Sequence, residues 1–419
     1  MSYRLSDASE FLSSGATVHD YVSSLLARIE ARDADVQGSV LAQARELDRV
    51  PLDKRGPLHG VPIGVKDIFL TKDMPTQHNS AIYENDAPAV DAALISLLRS
   101  AGALILGKTT TTEFAHGIHT DTRTPRTPGG SSSGSGAAVG DFQVPIALGT
   151  QTIGSIIRPA SFNGVFGIKP TWGSISREGA KICSVNFDTM GFLARSVADL
   201  ELLADVVGLE DDAKPITPFK LDGARFAVCK THVWSQAGPG TVNALALGIK
   251  LLREHGASVE ELDLPEEFAS VTKSHLTVFQ CDAKTTFMNE YIAAKDKLDP
   301  VLVGFVENQF THRQHLEGLD NLAQLRPKID LIASGYDAIL TPSVVDEAPE
   351  SLATTGNSIF CGMWTALHVP VVNVPGFVGD HGMPIGLSLV SARYTDRHLL
   401  RVAAAVAPVF EGGGWKPSV

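Results

Sequence analysis

Two stretches of the sequence carry residues with catalytic potential. Lys66 ends the apolar run VPIGVK. Because burial disfavours the charged form, a lysine at the end of a buried strand would have a lowered pKa and could act as a neutral base. Ser155 follows a glycine in GTQTIGSIIRPA, where a turn passes into a predicted helix. Backbone N–H groups at such a helix start can stabilise an oxyanion.

The run TPGGSSSGSGAAVG (127–140) has the composition of a flexible linker. Its GSSSG segment also matches the G-x-S-x-G pattern, with Ser132 as the nucleophile. That pattern needs a strand directly before it, whereas DTRTPRTP precedes it here, and its two prolines exclude a central strand. A phosphate-binding P-loop is excluded as well, because no Lys-Ser/Thr pair closes the glycine run.

Composition narrows the class of protein. The chain has 419 residues, 44% hydrophobic and 20% charged, which is typical of a globular protein with a large core. The net charge of −12 argues against nucleic acid or an anionic membrane as the main partner. The N-terminus lacks the features of a signal peptide, and no apolar run reaches the length of a membrane span. We therefore expect a cytoplasmic protein.

Cysteine usage agrees with that expectation. The four cysteines, Cys183, Cys229, Cys281 and Cys361, are far apart and form no C-x-x-C pair. They are expected to be reduced, mostly buried thiols.

Helical and strand patterns alternate along the chain and are expected to hold these residues in place. Residues 18–29 show the spacing of an amphipathic helix, with Thr17 as the N-cap. A helical pattern followed by a buried strand spans 91–108. Short apolar strands are predicted near 61–66, 144–150, 164–170, 337–343, 369–376 and 383–390. Short apolar strands interspersed with helices predict an α/β sheet that is covered on both faces.

We expect one domain over residues 1–419, because no linker or internal repeat divides the chain. Within it we distinguish an N-terminal helical part (1–56), a core that carries the motifs (57–205), a mainly helical section (206–334) and C-terminal strands with a helix (335–419). LREHGASVEEL and AKTTFMNEYIAAKDKL are both read as helical within the third part.

An ordered series of motifs resembles the amidase signature family of serine hydrolases. The series is PLHGVPIGVKDIF, GALILGKTTTTEFAHG, TPGGSSSGSGAAVG, LGTQTIGSIIRPASFNGVFGIKPT, YDAILTPS and TALHVPVVNVPGF with GMPIGLSLV. It runs from about residue 10 to the C-terminus, and only 206–330 is poorly matched. GGSSSGS together with LGTQT and IRPA is most similar to malonamidase-type members.

The resemblance implies a fold and a catalytic triad. The fold is the amidase signature α/β fold, with a central mixed, largely parallel sheet covered by helices on both faces. Ser155 would be the nucleophile, Lys66 the base and Ser131 the bridge between them, after a cis peptide bond at Gly130–Ser131. The reaction implied is acyl transfer through an acyl-enzyme, with no metal and no organic cofactor.

The resemblance also implies an oxyanion hole made by the N–H groups of Thr152, Ile153, Gly154 and Ser155. Two departures from the usual GTDTGGS bear on it. Gln151 replaces the aspartate, as in malonamidase-like members, and Ile153 replaces the first glycine. A β-branched residue disfavours positive φ, so the backbone at Ile153 either has an ordinary conformation or the loop is altered.

Further residues are expected around the triad. Arg158, one helical turn after Ser155, would bind a substrate carboxylate by analogy with malonamidase-type enzymes, or would form a structural salt bridge or cap contact. Gly130 and Thr150 are also expected to contact substrate. Three more serines are expected to support the Gly130–Ser131 turn through hydrogen bonds, namely Ser132, Ser133 and Ser135. Asp188, in the segment NFDTMGF, is expected to be a structural hydrogen-bonding group near the site.

Other residues with chemical potential are read as structural. The H-x-x-H pairs His116/His119 and His312/His315 lack the glutamate and spacing of a zinc helix. Trp172, Trp364 and Phe187 could line an acyl pocket, although aromatic side chains are more often simply buried.

Four functions are compared. The first is an amidase that cleaves the C–N bond of a small amide. The second is an esterase or carbamate hydrolase (urethanase) with the same triad. The third, an A-type subunit of a tRNA-dependent amidotransferase, is disfavoured by the short chain, by its departures from GTDTGGS and by the lack of a basic signal. The fourth, a catalytically inactive binding protein, is disfavoured by the intact triad. The expected partner is a small-molecule amide, ester or carbamate, with neither nucleic acid nor membrane, and a homodimer is left open.

Overall fold

A computed structural model describes residues 7–32, 39–115, 126–211 and 218–417. Ten strands in this part of the chain belong to one sheet. They are β1 Pro62–Lys66, β2 Leu104–Thr109, β3 Ile146–Gln151, β4 Phe166–Lys169, β5 Thr189–Ala194, β6 Arg225–Val228, β7 Ser258–Glu261, β8 Ala338–Pro342, β9 Val371–Val378 and β10 Pro384–Val390.

Helices fill the segments between the strands. Within the described ranges they are α1 Ala8–Ser14, α2 Val18–Arg32, α3 Ser39–Asp48, α4 Ala93–Ser100, α5 Ser133–Gly140, α6 Ile157–Phe162, α7 Val197–Val206, α8 Pro239–Glu254, α9 Val271–Thr286, α10 Met288–Ala294, α11 Pro300–Glu307, α12 His312–Ala333, α13 Ile359–Ala366 and α14 Asp396–Phe410. None of these described helices combines the length and the apolar character needed to cross a bilayer.

The strand order is β2-β1-β3-β5-β4-β9-β10-β8-β6-β7. Parallel pairs lie at the two ends of the sheet, where β1 pairs with β2 and β3, and β6 pairs with β7 and β8. Antiparallel pairs join the strands between them. The predicted mixed α/β fold is confirmed, with the parallel pairs concentrated at both flanks.

The sheet is buried on both faces. Every residue of β1, β3, β5, β8 and β10 is buried. Because successive side chains of a strand point to opposite faces, such strands must be covered from both sides. Helix α5 packs on β1 and β3, while α14 packs on β9. The core therefore has layers of helices around a central sheet.

The N-terminal helix predicted over 18–29 is confirmed as α2. Thr17 caps it, since its hydroxyl accepts a hydrogen bond from the Asp20 N–H at 3.1 Å. The predicted apolar face is buried, with Val22 and Leu25 fully enclosed. Hydrophobic spacing of this length thus specified the helix correctly.

The section 206–334 is mainly helical, but the prediction of helix through ASVEEL is wrong. Gly256, at a φ of 87°, follows the end of α8, and residues 258–261 form strand β7. Only Val259 of this strand is buried. The strand forms because it pairs in parallel with β6 at the edge of the sheet, a contact that a local pattern does not reveal. The strands predicted from the sequence likewise do not include β5, in the centre of the sheet.

The site is positioned by neighbouring strands. Ile63 of β1 lies opposite Ile146 of β3, and the two strands are parallel. Their carboxyl ends, which carry Lys66 and Thr150, therefore meet at the same edge of the sheet. The turn that follows β3 leads through Ser155 into α6.

Candidate active site

Lys66, the last residue of β1, is fully buried. Its Nζ lies 2.9 Å from the Ser131 Oγ and 2.8 Å from the Thr150 Oγ1. Desolvation lowers the pKa of Lys66 from 10.5 to about 7, against the opposing effect of the negative charge of Asp188. A substantial fraction of this lysine is therefore neutral near pH 7, and a neutral amine can accept a proton.

The glycine-serine run is ordered rather than linker-like. The peptide bond between Gly130 and Ser131 is cis, as expected, and α5 begins at Ser133. The Thr111 hydroxyl donates to the Ser131 carbonyl at 3.0 Å. These contacts fix the backbone that presents the Ser131 hydroxyl to Lys66.

The other serines of the run are bonded to the backbone of neighbouring strands and loops. Ser132 Oγ lies 3.4 Å from the Thr150 carbonyl and accepts from the Thr150 N–H at 3.3 Å. Ser135 Oγ donates to the Leu148 carbonyl at 2.7 Å, and Ser133 Oγ to the Thr110 carbonyl at 3.4 Å. The predicted supporting hydrogen bonds are therefore present.

Ser155 is buried beside this turn. Its carbonyl accepts a hydrogen bond from the Ser132 N–H at 3.4 Å, which ties the two turns together. Within the described ranges, the Ser155 hydroxyl has no hydrogen-bond partner. Of the two links expected in the triad, the Lys66–Ser131 contact is therefore formed and the Ser131–Ser155 contact is not.

The backbone around Ser155 is held by its carbonyl groups. The Thr152 carbonyl is 2.9 Å from His275 Nε2, and the Ile153 carbonyl accepts from the Thr365 hydroxyl at 2.8 Å. The Gly154 carbonyl accepts from the Arg158 N–H at 2.9 Å. In a planar trans peptide the carbonyl and the next N–H point in opposite directions. Each anchored carbonyl therefore fixes the direction of the following N–H.

The predicted oxyanion hole depends on the N–H groups that these anchored carbonyls orient. The N–H groups fixed in this way are those of Ile153, Gly154 and Ser155, and within the described part of the chain none of them donates a hydrogen bond. Three unpaired donors in a row beside a serine hydroxyl form a ready anion-binding turn. The Thr152 N–H precedes these three anchored peptides, so these contacts do not fix its direction.

Ile153 keeps an ordinary backbone conformation, since it is not one of the described non-glycine residues with positive φ. Of the two possibilities left open by the sequence, the unaltered backbone is therefore observed. The side chain is partly buried and faces α13, because a Cβ added at Gly362 would lie 3.4 Å from the Ile153 Cγ2.

Gln151 has a structural role at the end of β3. Its Oε1 accepts the Ile156 and Ile157 N–H groups at 2.9 and 3.0 Å, which caps the start of α6. Its Nε2 donates to the Thr365 hydroxyl at 2.9 Å. A side-chain amide supplies both the acceptor and the donor that these contacts need, whereas a carboxylate would supply acceptors only.

Asp188 is buried and hydrogen-bonded, as predicted. It accepts from the Thr152 hydroxyl at 2.5 Å and from the backbone N–H groups of Cys183 and Ser184 at 2.7 and 3.3 Å. Burial raises its pKa, and these hydrogen bonds oppose that rise. The carboxylate thus fixes the side chain of Thr152, the residue whose carbonyl contacts His275.

Arg158 is buried beside the turn that contains the cis peptide bond between Gly130 and Ser131. Its two terminal nitrogens donate to the carbonyls of Gly356 and Gly130 at 2.5 and 2.6 Å, while its Nε has no partner among the described residues. Burial lowers its pKa to about 10. Of the structural alternatives left open by the sequence, a salt bridge to a carboxylate is not found in the described ranges, and the hydrogen bonds of the guanidinium go to backbone oxygens.

The two other residues expected to contact substrate lie near the triad. Thr150 contacts Lys66 directly, which the sequence analysis did not foresee. The Gly130 carbonyl is occupied by Arg158, and a Cβ at Gly130 would lie 2.7 Å from Thr355 Cγ2. The contacts of His275 and Thr365 with the turn at residues 152–155 were not predicted, because both residues come from distant helices, although Thr365 begins one of the family motifs.

The remaining residues behave as structural groups. His315 lies 3.1 Å from an Asp282 oxygen, and no metal-binding cluster is found in the residues that the structure covers. His116 and His119 lie outside the described residues. Phe187 and Trp364 are buried, Trp172 is half-buried, and all four cysteines are free thiols.

The chain is similar to known amidases in sequence and in structure. A family model described as Amidase matches residues 20–400. The A-type subunit of the glutamyl-tRNA(Gln) amidotransferase of Lysinibacillus sphaericus is 28% identical over 458 residues, covering 94% of each chain. A solved amidase structure has a TM-score of 0.85 at 27% identity, covering 96% of this chain and 99% of that one. The native peptide amidase of Stenotrophomonas maltophilia has a TM-score of 0.79 at 25% identity, covering 98% of both. These matches do not confirm the expected likeness to malonamidase-type enzymes.

Proposed function

The chain belongs to the amidase family, and we propose that it is a serine amidohydrolase that cleaves the C–N bond of a small-molecule amide. The observation that carries the proposal is the 2.9 Å contact between Lys66 Nζ and Ser131 Oγ. It combines a buried lysine, whose pKa is about 7, with a hydroxyl that can pass a proton. The unpaired N–H groups beside Ser155 support the choice of Ser155 as the nucleophile.

In the first half of the reaction, neutral Lys66 takes the proton of Ser131. Ser131 takes the proton of Ser155 as the Ser155 Oγ attacks the carbonyl carbon. The negative charge that develops on the substrate oxygen is stabilised by the N–H groups of Ile153 and Gly154 and by that of Ser155 itself, with Thr152 as a fourth proposed donor. The free Ser155 hydroxyl must turn toward Ser131 for this step. Catalytic hydrogen bonds often tighten only when substrate is bound.

In the second half, the C–N bond breaks and the amine leaves. The Lys66 ammonium returns a proton through Ser131 to the leaving nitrogen, so the amine departs neutral. Water then attacks the Ser155 ester and gives its proton to the same relay. Release of the acid restores the Ser155 hydroxyl and neutral Lys66.

We also propose that Arg158 binds a carboxylate of the substrate. A guanidinium has five N–H donors, and the two contacts to Gly356 and Gly130 leave further donors unused. A buried cation without an acidic partner is costly, and an anionic ligand would compensate its charge. Because Arg158 contacts the Gly130 carbonyl, the carboxylate would lie beside the cis turn and close to Ser131.

The same triad can cleave an ester or a carbamate, because all three substrates give an acyl-enzyme and differ in leaving group. A second candidate, the A-type subunit of an amidotransferase complex, is favoured by the named relative from Lysinibacillus sphaericus. The net charge of −12 argues against direct contact with tRNA, so this function would need partner subunits. Co-purification with such subunits, and turnover of glutamine only in their presence, would support it.

An activity screen tests the proposal. The purified chain is given small amides, esters and carbamates, each with and without a free carboxylate. We expect amide turnover that is abolished by Ser155→Ala and retained by Ser133→Ala, a matched control in which the lost hydroxyl makes only a 3.4 Å contact to backbone. Substantial activity in Ser155→Ala would contradict the assignment of the nucleophile. Faster turnover of esters or carbamates than of amides would favour the alternative hydrolase.

A further inference from the structure

His275 contacts residues 152–155, which we call the proposed oxyanion turn, from a helix outside the recognised motifs. It lies on α9, and its Nε2 is 2.9 Å from the Thr152 carbonyl, 123 positions away in sequence. We propose that His275 is a positioning residue that aims the Ile153 N–H at the oxyanion. The inference rests on the proposed function, since it concerns the same acyl-transfer site.

The chemistry of the contact determines which form of the ring is present. A carbonyl oxygen only accepts, so the Nε2 must carry the proton and donate it. Burial lowers the pKa of His275 to about 4, against the opposing hydrogen bond to Thr152. The ring is therefore neutral at pH 7, with its single proton on Nε2.

Holding this carbonyl has a direct consequence for catalysis. The Thr152 carbonyl and the Ile153 N–H belong to one planar peptide, so rotation of that peptide would move both together. Without His275, the peptide could rotate and present its carbonyl oxygen to the substrate instead of its N–H. An oxygen in that position would repel the developing negative charge.

The ring has little freedom to move. Phe187 packs edge-on against it, with the ring centroids 4.5 Å apart. On the α13 side, a Cβ added at Gly362 would lie 3.2 Å from the His275 Nδ1. The His275 ring therefore lies in a slot between the Phe187 ring and α13, where Gly362 leaves room for it.

Helix α9 also supports Thr152 indirectly, through Asp282. Asp282, two turns after His275, accepts from the Ser184 hydroxyl at 2.5 Å and from the Asn186 side chain at 3.0 and 3.1 Å. The loop held in this way carries Asp188, which accepts the Thr152 hydroxyl. Helix α9 thus fixes Thr152 through its carbonyl directly and through its hydroxyl by way of the 183–188 loop.

The test uses a biotinylated fluorophosphonate, which needs no knowledge of the natural substrate. The Ser155 Oγ–P bond forms as the P–F bond breaks, fluoride leaves, and the Ser155 proton passes to Ser131 and Lys66. The phosphoryl oxygen occupies the oxyanion position, so the rate constant kinact reports on the N–H groups while KI reports on reversible binding. Mass spectrometry locates the label.

We expect kinact to fall about tenfold or more in His275→Leu, with KI unchanged, since loss of a whole oxyanion donor costs about 10²- to 10³-fold. His275→Gln, which retains a donor, should stay within about threefold of the wild-type chain. Leu276→Ala is the matched control, because Leu276 is exposed on the same helix. A defect that merely deforms the pocket would raise KI as well.

Gly362→Ala gives an independent variant in case His275→Leu does not fold. It keeps the imidazole but crowds its Nδ1, and alanine suits a helix. A wild-type kinact in folded His275→Leu, or in Gly362→Ala if the former is unfolded, would overturn the inference and leave the proposed function intact. Failure of the probe to label Ser155 in the wild-type chain would contradict the proposed function itself.

Discussion

The side-chain nitrogen of Lys66 lies 2.9 Å from the hydroxyl oxygen of Ser131, although the two residues are 65 positions apart. The contact forms at the carboxyl end of β1, where Lys66 is buried from solvent and no acidic side chain of the described ranges bonds to its nitrogen. Burial rather than a neighbouring cation therefore lowers the pKa of Lys66, which suits its proposed role as a base.

The proposed base predicts an acid limb in the pH dependence. Below a pH of about 7, Lys66 becomes an ammonium and has no lone pair to accept a proton. We expect kcat/KM to rise through a midpoint near pH 7 and then to reach a plateau. Steady-state rates between about pH 5 and pH 9 measure it. Lys66→Ala should be inactive throughout. Substantial activity in this variant, or a wild-type profile without a limb near pH 7, would contradict the role of the buried amine as the base.

Thr150→Val tests the second partner of Lys66. The Thr150 hydroxyl lies 2.8 Å from Nζ, and a hydroxyl that accepts a hydrogen bond stabilises an ammonium more than an amine. Replacing it with the similarly shaped valine should lower the pKa of Lys66 and move the acid limb to lower pH. The same pH profile, compared with the wild-type chain, measures the shift. A limb that moves to higher pH would contradict this role.

Arg158→Ala tests the carboxylate site. The variant also loses the contact to the Gly130 carbonyl, so we expect some loss of activity on every substrate. The informative quantity is therefore the ratio of kcat/KM for a carboxylate-bearing amide to that for its neutral analogue. We expect this ratio to fall by about tenfold or more, as for a lost charge-assisted hydrogen bond. An unchanged ratio would leave Arg158 with a structural role only.

Gly154→Ala tests how closely the proposed oxyanion turn is packed. A Cβ there would lie 2.8 Å from the Ser358 Cβ and 2.9 Å from the Cys361 Cβ. We expect a loss of about 1–3 kcal/mol in the free energy of unfolding, together with a lower kcat, because the turn must shift. Denaturant unfolding and steady-state kinetics measure the two effects.

Gly107→Ala is the matched control for that variant. Nothing lies within 4 Å of a Cβ at Gly107, and its φ is not positive. We expect a gain of about 0.4–1 kcal/mol in stability from the less flexible unfolded chain, with unchanged activity. Equal effects at both glycines would contradict the packing argument.

Some elements could be predicted because their signal is local. The amphipathic spacing of 18–29 specified α2, and the apolar run ending at Lys66 specified β1. Strand β7 could not be predicted, because three of its four residues are exposed and it exists through its pairing with β6. Residues 258–261 fit a helical pattern locally, but they form a strand because the edge of the sheet supplies hydrogen-bond partners.

The residue types and the order of the motifs are sufficient to identify the family and the mixed α/β fold, and they suggest the proposed triad. The motifs are short, and each carries its own turn or strand signal. The contact of Thr150 with Lys66, and the contacts of His275 and Thr365 with the carbonyls of residues 152 and 153, arise only in the folded chain. These contacts join residues 84, 123 and 212 positions apart. Proximity of this kind arises from packing of the sheet and helices, which no local pattern of residues encodes.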